Sequence, residues 1–305
     1  MATYLRDHAP TSRSRDWIGH MAEGVLQWWT GKPLSAVNAG NCRTYVAWRT
    51  AQRIKSATKR PGRLVSDQTA RHELKTLRAA IRFYHANHGP LTAVPIVTLP
   101  PRSPARSDYW WKRSEAAARI RAARSRPETH HLARIMLIGL YSGTRPGAIM
   151  RLRWLPSPEG GWIDVEEGVL HRRGESVVRS KKRQPPARLH KNLLLHARRW
   201  RQADLAKGIA SVVHYQGAPI RTKVRRSWET VRKLAGHTRK DSPHVLRHTA
   251  ATWFMQASIN VAEVADYLGM SVKTLMDVYR HHHPDFQIEA AQATPGKRVI
   301  KGGSR

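Results

Sequence analysis

The chain has 305 residues, with 54 lysines and arginines against 21 aspartates and glutamates, a formal net charge of +33. A basic excess spread along a folded chain requires a polyanionic partner, usually nucleic acid, and eleven tryptophans with a steady supply of aliphatics exclude a disordered basic protein. No stretch reaches the ~18 apolar residues of a membrane span, MATYLRDHAP lacks the apolar core of a secretion signal, and one cysteine, Cys42, excludes an internal disulfide framework and a cysteine-based zinc site.

Residues 1–13 read as a short flexible lead. Ile18, Met21, Val25, Trp28 and Trp29 recur at helical spacing, and Gly31-Lys32-Pro33 ends that helix. A second helix is expected from about Asn41 to Ala57, with Tyr45 and Trp48 inward. SATKRPGRLVSD is a basic loop, and a third helix follows from about Gln68 to Asn87, with Leu74, Leu77, Ile81 and Tyr84 as its seam. Residues 14–92 therefore predict a small all-helical domain. Its Arg43, Arg49, Arg53, Lys55, Lys59, Arg60 and Arg63 form a solvated face on the plainest reading. The net charge favours phosphate contacts, which need several cations on one side. GPLTAVPIVTLPPRSPAR holds five prolines and places a linker at 93–107.

The second domain, 108–288, opens with a helix over Arg113–Arg124. Glu128–Leu140 is apolar on most sides in its second half, as a central buried helix is. YSGTRPGAIMRLRW follows as a glycine-broken turn that presents Arg145. Trp162–Val165, Val169–Arg172, Ser176–Arg179 and Ala187–His190 read as short strands, with SKKRQPP, and so Lys181 and Lys182, in the turn before the last. Helices resume at Leu193–Ala206 and Ser227–Leu234, and 289–305 is a flexible tail.

In DSPHVLRHTAATW, Ser242 is a good N-cap and Pro243 suits a first helical position. His244 and Arg247, three residues apart, share a face, while Leu246, Ala250, Trp253 and Phe254 form the apolar stripe. Val261, Val264, Ala265 and Leu268 make a short helix closed by Gly269, and Ser271 caps another through Leu275, Val278 and Tyr279. Taken alone, Tyr279 is a core residue whose hydroxyl has found a partner. Arg145 taken alone pairs with a carboxylate, the lysines are solvated, and His244 caps or packs. Together they supply what phosphoryl transfer needs. Two arginines can hold the nonbridging oxygens of a phosphodiester and offset the charge of its transition state. A lysine or histidine can move protons, and a tyrosine oxygen can act as a covalent nucleophile.

The pattern resembles the tyrosine recombinases, the phage-integrase family. SGTRPGAIMRLRW looks like that family's first arginine box, HVLRHTAATW like its His-x-x-Arg box, and YLGMSVKTLMDVYRH like its tyrosine box. The stranded element with its lysine turn falls where the family carries a catalytic lysine on a β-hairpin. The resemblance spans roughly residues 14–285. It implies a mainly α fold with a small antiparallel β-sheet: an all-helical N-terminal core-site DNA-binding domain and an α+β catalytic domain. It implies that Tyr279 attacks the scissile phosphate to give a 3′-phosphotyrosyl link and a free 5′-hydroxyl. Arg145 and Arg247 then look like the phosphate clamp, Lys181 like the proton donor to the leaving oxygen with Lys182 as substitute, and His244 like the proton partner of the tyrosine. Neither a metal nor ATP is implied, since bond energy stays in the phosphotyrosine. The implied partners are double-stranded DNA and, on paired sites, a homotetramer, in the cytoplasm of a bacterium at its nucleoid, the gene being bacterial or phage-borne. Two positions depart from the pattern. Met270 stands where the family has histidine or tryptophan and cannot donate to a phosphate; His281, His282 and His283 follow nearby and read as a polar helix end. Ala148 stands where an acidic residue is common. The alternative reading is a DNA-binding architectural protein that kept the fold and lost turnover, with a nicking-closing topoisomerase third.

Overall fold

Apolar residues at helical spacing and well-placed caps dictate most of what forms. The computed structural model describes residues 1–54, 62–103, 109–177, 183–220, 224–284, 286–288 and 291. The chain divides into two units, Met1–Arg106 and Ser107–Arg305. Among the described residues no helix is long and apolar enough to cross a membrane.

The first unit contains α1 (Ala2–Asp7), α2 (Arg15–Trp29), α3 (Ala39–Thr50) and α4 (Asp67–Asn87). Asn38 caps α3 by accepting from the Asn41 amide, and Ser66 caps α4 by accepting from that of Thr69. Val25, Trp29, Cys42, Tyr45, Leu74, Leu77 and Ile81 close its core. Four expectations need correction. Residues 1–13 are no flexible lead: Tyr4 and Ala9 pack against Ile18 and Ala80, and Asp7 pairs with His88 at 3.2 Å. The second helix stops at Thr50, because the chain turns to bond Ile54 to Arg63 and Val65 to Gln52; residues 55–61, with Lys55, Ala57, Lys59 and Arg60, lie outside the described residues. Arg49 does not lie on a solvated face. It forms a 2.9 Å ion pair with the fully buried Glu73, which also accepts from the Tyr45 hydroxyl at 2.7 Å. Burial and then Glu73 push the Tyr45 phenol far above its usual range. Tyr84 is 42% exposed rather than part of the seam, and stacks on His88.

The second unit is built on α6 (His130–Ser142), which follows α5 (Arg113–Arg124). Leu132, Ile135, Met136 and Ile138 of α6 are fully buried, as the all-round apolar pattern predicts. The short helix α7 (Pro146–Ile149) leads to β1 (Trp162–Asp164), β2 (Val169–His171) and β3 (Ala187–Arg188), an antiparallel sheet in the order β1-β2-β3. Its register pairs Ile163 with Leu170 and Leu170 with Ala187, so one apolar column faces the core. Then come α8 (Lys191–Leu205), the hairpin β4 (His214–Tyr215) and β5 (Ala218–Pro219), and α9 (Arg225–Leu234). The unit ends in α10 (Val245–Gln256), α11 (Val261–Leu268) and α12 (Val272–Tyr279). The architecture is mainly helical with small antiparallel sheets, as the resemblance implies.

Gly139 of α6 lets α10 approach closely, since a Cβ there would sit 2.8 Å from Leu246 Cδ1. Ser176 and Val177 do not form a strand. Backbone bonds from Glu175 to Ser157 and Ser176 to Pro158 fold this segment onto a loop, while Val178 and Arg179 lie outside the described residues. The hairpin at 214–219 was not expected; its turn residues, Gln216 and Gly217, both take positive φ, as a two-residue turn requires. Helix α10 starts at Val245, later than Pro243, with His244 at the N-cap and the Ser242 carbonyl accepting from the Val245 amide.

One buried carboxylate ties α5, α9 and the entry to α10 together. Asp241 accepts from Trp111 Nε1 and Trp228 Nε1, each at 2.8 Å, and pairs with Arg119 at 3.1 Å. Trp111 and Trp228 stack with centroids 5.5 Å apart. Trp111 also accepts at its carbonyl from Trp253 Nε1, and its amide donates to Thr249 Oγ1. Asp241→Ala leaves the Arg119 charge buried and unpaired, which costs about 3–5 kcal/mol. Calorimetry of the purified chain should show the second unit melting about 10 °C lower; an unchanged melting point would show that this carboxylate is not the tie described.

Candidate active site

Three arginines from separate parts of the second unit meet at the end of α6. Helix α6 ends at Gly143 in the left-handed conformation, φ 61°, and the chain reverses through Thr144 to Arg145, the N-cap of α7. A Cβ on Gly143 would lie 2.2 Å from Leu268 Cδ2, so glycine is required twice over. Arg145 is half-buried and donates to the Arg183 carbonyl at 3.1 Å. Arg247, on the first turn of α10, donates to the Gly143 carbonyl at 2.8 Å and to the Leu268 carbonyl at 2.6 Å, with a longer bond to Gly269 at 3.3 Å. The last two are among the unpaired carbonyls at the C-terminus of α11, where a cation is favoured.

The third arginine is Arg172, next after β2 and only 5% exposed. It donates to Thr144 Oγ1 at 2.9 Å, to the Ser142 carbonyl at 2.8 Å and to the Pro185 carbonyl at 2.9 Å. It thus joins the turn that carries Arg145 to the segment that leads into β3. Lys181 and Lys182 themselves lie outside the described residues. Arg183 and Pro185, just beyond them, are held by Arg145 and Arg172 respectively.

Among the described residues none of the three guanidinium groups pairs with a carboxylate. Ala148, where the resemblance leads one to expect an acid, is buried and apolar. Burial first, then the charges of Arg145 and Arg172, pull the Arg247 pKa down to about 10. Burial pulls that of Arg172 down to about 10 as well, with Tyr267 and Asp266 opposing and Arg145 adding to the fall. Burial also lowers that of Arg145. All three stay charged at neutral pH, so the site concentrates positive charge in a place where water screens it poorly.

Tyr279 closes α12 beside this cluster. It is 6% exposed and packs with Leu275, Met270 and Leu268. Its hydroxyl is not sealed in that packing: Oη lies 2.7 Å from Nδ1 of His248, an exposed residue one position after Arg247. The phenol also acts on the charge of Arg247, opposing the fall in its pKa. His244 sits exposed at the N-cap of α10, one turn before His248 on the same face. Met270 is 9% exposed and belongs to the apolar cluster, with its amide bonded to the Ala265 carbonyl. His281 and His282 form the turn after α12, and the His282 ring meets the edge of Trp110.

Sequence reasoning thus singled out Arg145, Arg247 and Tyr279, which the structure brings together, and missed Arg172 and His248. Both left a trace in the sequence. Strand alternation that buries Leu170 also turns Arg172 inward, and His248 lies four residues after His244, on one helical face.

The family model described as the phage integrase family matches residues 111–285. No curated protein matches the sequence. Among solved structures, the Tn1549 transposon integrase in complex with circular intermediate DNA is similar with a TM-score of 0.69 at 13% identity, covering 96% of this chain and 97% of that one. The lambda integrase bound to DNA is similar with a TM-score of 0.63 at 15% identity, covering 96% and 99%. The XerH site-specific recombinase in a post-cleavage complex with palindromic difH substrate has a TM-score of 0.62 at 13% identity, covering 95% and 84%. At such identities these likenesses speak for the fold. The family model spans more than half of the chain, with the two arginine boxes and the tyrosine box inside it, and the chain therefore belongs to the phage integrase family, the tyrosine recombinases.

Proposed function

We propose that the protein is a site-specific DNA recombinase that cuts and rejoins duplex DNA through a 3′-phosphotyrosyl intermediate on Tyr279. The observation that carries this reading is the tyrosine hydroxyl held beside a cluster of guanidinium groups that have no carboxylate partner among the described residues. A scissile phosphodiester is the anion such a cluster suits. Arg145 and Arg247 bind its nonbridging oxygens and stabilise the charge that builds as phosphorus becomes pentacoordinate. Lys181 protonates the leaving 5′-oxygen, with Lys182 as the substitute. His244 serves the tyrosine as general base or proton partner. The phosphotyrosine keeps the bond energy, so a 5′-hydroxyl can reverse the step without ATP. Strand exchange between two duplexes follows when four protomers assemble on paired sites. Residues 14–92 bind the core site through their basic surface, and residues 108–288 carry the chemistry. The solved relatives named above are described in complex with DNA, which agrees with duplex DNA as the partner.

Met270 favours one other reading, a DNA-binding architectural protein without turnover, because a buried thioether gives a phosphate no hydrogen bond. A suicide duplex separates the two. The recombinase accumulates a covalent protein–DNA adduct that Tyr279→Phe abolishes while DNA binding persists. Tight binding with no adduct would establish the architectural reading.

Two further outcomes follow from the cluster and from the charge. Arg247→Lys should slow adduct formation by roughly 10²–10³ in single-turnover assays, the usual effect of removing one preorganised donor to a transition state; Arg172→Met should slow it too while DNA affinity changes little, since Arg172 holds the Arg145 turn from beneath. An Arg172→Met rate equal to wild type would remove that role. DNA affinity should fall by about 10³–10⁵ between 50 and 200 mM salt if 6–10 phosphates are contacted. A salt-independent affinity would count against DNA as the partner.

A further inference from the structure

We propose that His248 is the base that takes the proton of Tyr279 during strand cleavage and returns it during rejoining. The inference rests on the recombinase reading and assigns to a particular atom, His248 Nδ1, the proton step that the family resemblance gave to His244.

The geometry comes from one helix. Helix α10 carries Arg247 and His248 at successive positions, about 100° apart around the axis. That rotation sends Arg247 back toward the carbonyls of Gly143 and Leu268. It sends His248 across to α12, where Nδ1 lies 2.7 Å from the phenolic oxygen and the rings are 5.9 Å apart. The contact is a working hydrogen bond by distance, and both partners sit on helices whose Ala250, Ala251 and Leu275 share one buried cluster. A proton acceptor is therefore in reach of the nucleophile, in line with the geometric requirement for general-base catalysis.

Chemistry favours proton transfer over a bond that only holds the ring. A simple phenol keeps its proton until about pH 10, so attack on phosphorus near neutrality needs a base at the oxygen. Imidazole is the side chain best suited to accept a proton there. The tautomer required has its proton on Nε2, leaving the Nδ1 lone pair for the phenol. His248 is exposed, so the proton it gains can pass to water. Tyr279 as a residue is only 6% exposed.

The step balances. Tyr279 Oη forms a bond to phosphorus as the bond from phosphorus to the 5′-oxygen breaks. The phenolic proton goes to His248 Nδ1, giving an imidazolium. The leaving 5′-oxygen takes a proton from a separate donor, Lys181 in the reading above. In rejoining, a 5′-hydroxyl attacks, loses its proton to that lysine, and expels Tyr279 Oη, which recovers its proton from His248. The imidazolium forms next to Arg247 in the chain, a like-charge neighbour that is unfavourable while the site is empty. A bound phosphodiester, gaining negative charge toward the transition state, offsets it.

The test uses the full chain and a duplex bearing the site selected from a random library by binding. Single-turnover adduct formation is measured on a suicide substrate and on its analogue with sulfur at the bridging 5′ position, whose thiolate leaves without a proton. His248→Ala should slow the reaction by about 10²–10⁴, the range of a positioned base, and added imidazole should restore part of the loss. His248→Gln keeps an acceptor that cannot take up a proton and should be about as slow. Both deficits should persist on the sulfur substrate, where that of Lys181→Ala should vanish. Wild-type speed in His248→Gln would reduce the contact to ring positioning. Faster cleavage in either variant would make it a latch, and loss of the deficit on the sulfur substrate would make His248 the leaving-group acid. Each of these outcomes overturns the proposal. If His248→Ala fails to fold by thermal melting, His248→Gln carries the comparison. A wild type that binds its site and forms no adduct sinks the recombinase reading itself, which a slow variant beside an active wild type does not.

Discussion

Positive charge buried without a carboxylate partner among the described residues is the constraint around which the second unit is arranged. Taking a guanidinium out of water costs several kcal/mol unless something compensates it. Here the compensation is backbone: the carbonyls of Ser142, Gly143, Pro185, Leu268 and Gly269 face Arg172 and Arg247. Carbonyl dipoles satisfy donors but leave net charge, and burial lowers the pKa of all three arginines. The carbonyls are available because two helices, α6 and α11, end there, each at a glycine in the left-handed conformation. Stability is thus given up at the site that function needs.

The rest of the unit holds that arrangement rigid. Helix α6 is buried along its length and α10 lies close to it at Gly139, so the Arg145 turn and the Arg247 helix share one foundation. Asp241 fixes the entry to α10 through two indole donors and Arg119. Arg172 extends the same foundation to the small sheet and to the segment that leads into β3. Helix α12 then brings Tyr279 to His248. Residues distant in sequence converge because few elements separate them in space, and each element is anchored by buried groups.

Much of this was legible in the sequence. Helix α5 was readable to the residue, and the caps at Gly269 and Ser271 followed from residue type alone. The boxes around Arg145, Arg247 and Tyr279 were legible because their residues recur at fixed intervals in a recognisable order. Arg172 was not, because a buried arginine in a strand looks like a solvated one until tertiary packing turns the face inward. His248 was hidden by its neighbours: attention to the His-x-x-Arg spacing passed over the next residue, whose partner lies thirty-one positions away. Residues 1–13 were misread because Tyr4 gains its partners, Ile18 and Ala80, only from other helices. The strand expected at 176–179 failed for the converse reason, since the loop at Ser157 and Pro158 offered its carbonyls first.

A structure of the Tyr279→Phe chain bound to its selected duplex bears most directly on the guanidinium cluster as a phosphate site. A single backbone phosphate should lie within hydrogen-bond reach of both Arg145 and Arg247, with the ring of residue 279 edge-on to its phosphorus and about 3–3.5 Å of clearance left for the missing oxygen. A duplex bound with every phosphate remote from the two arginines, leaving the cluster in contact with solvent alone, would contradict the account.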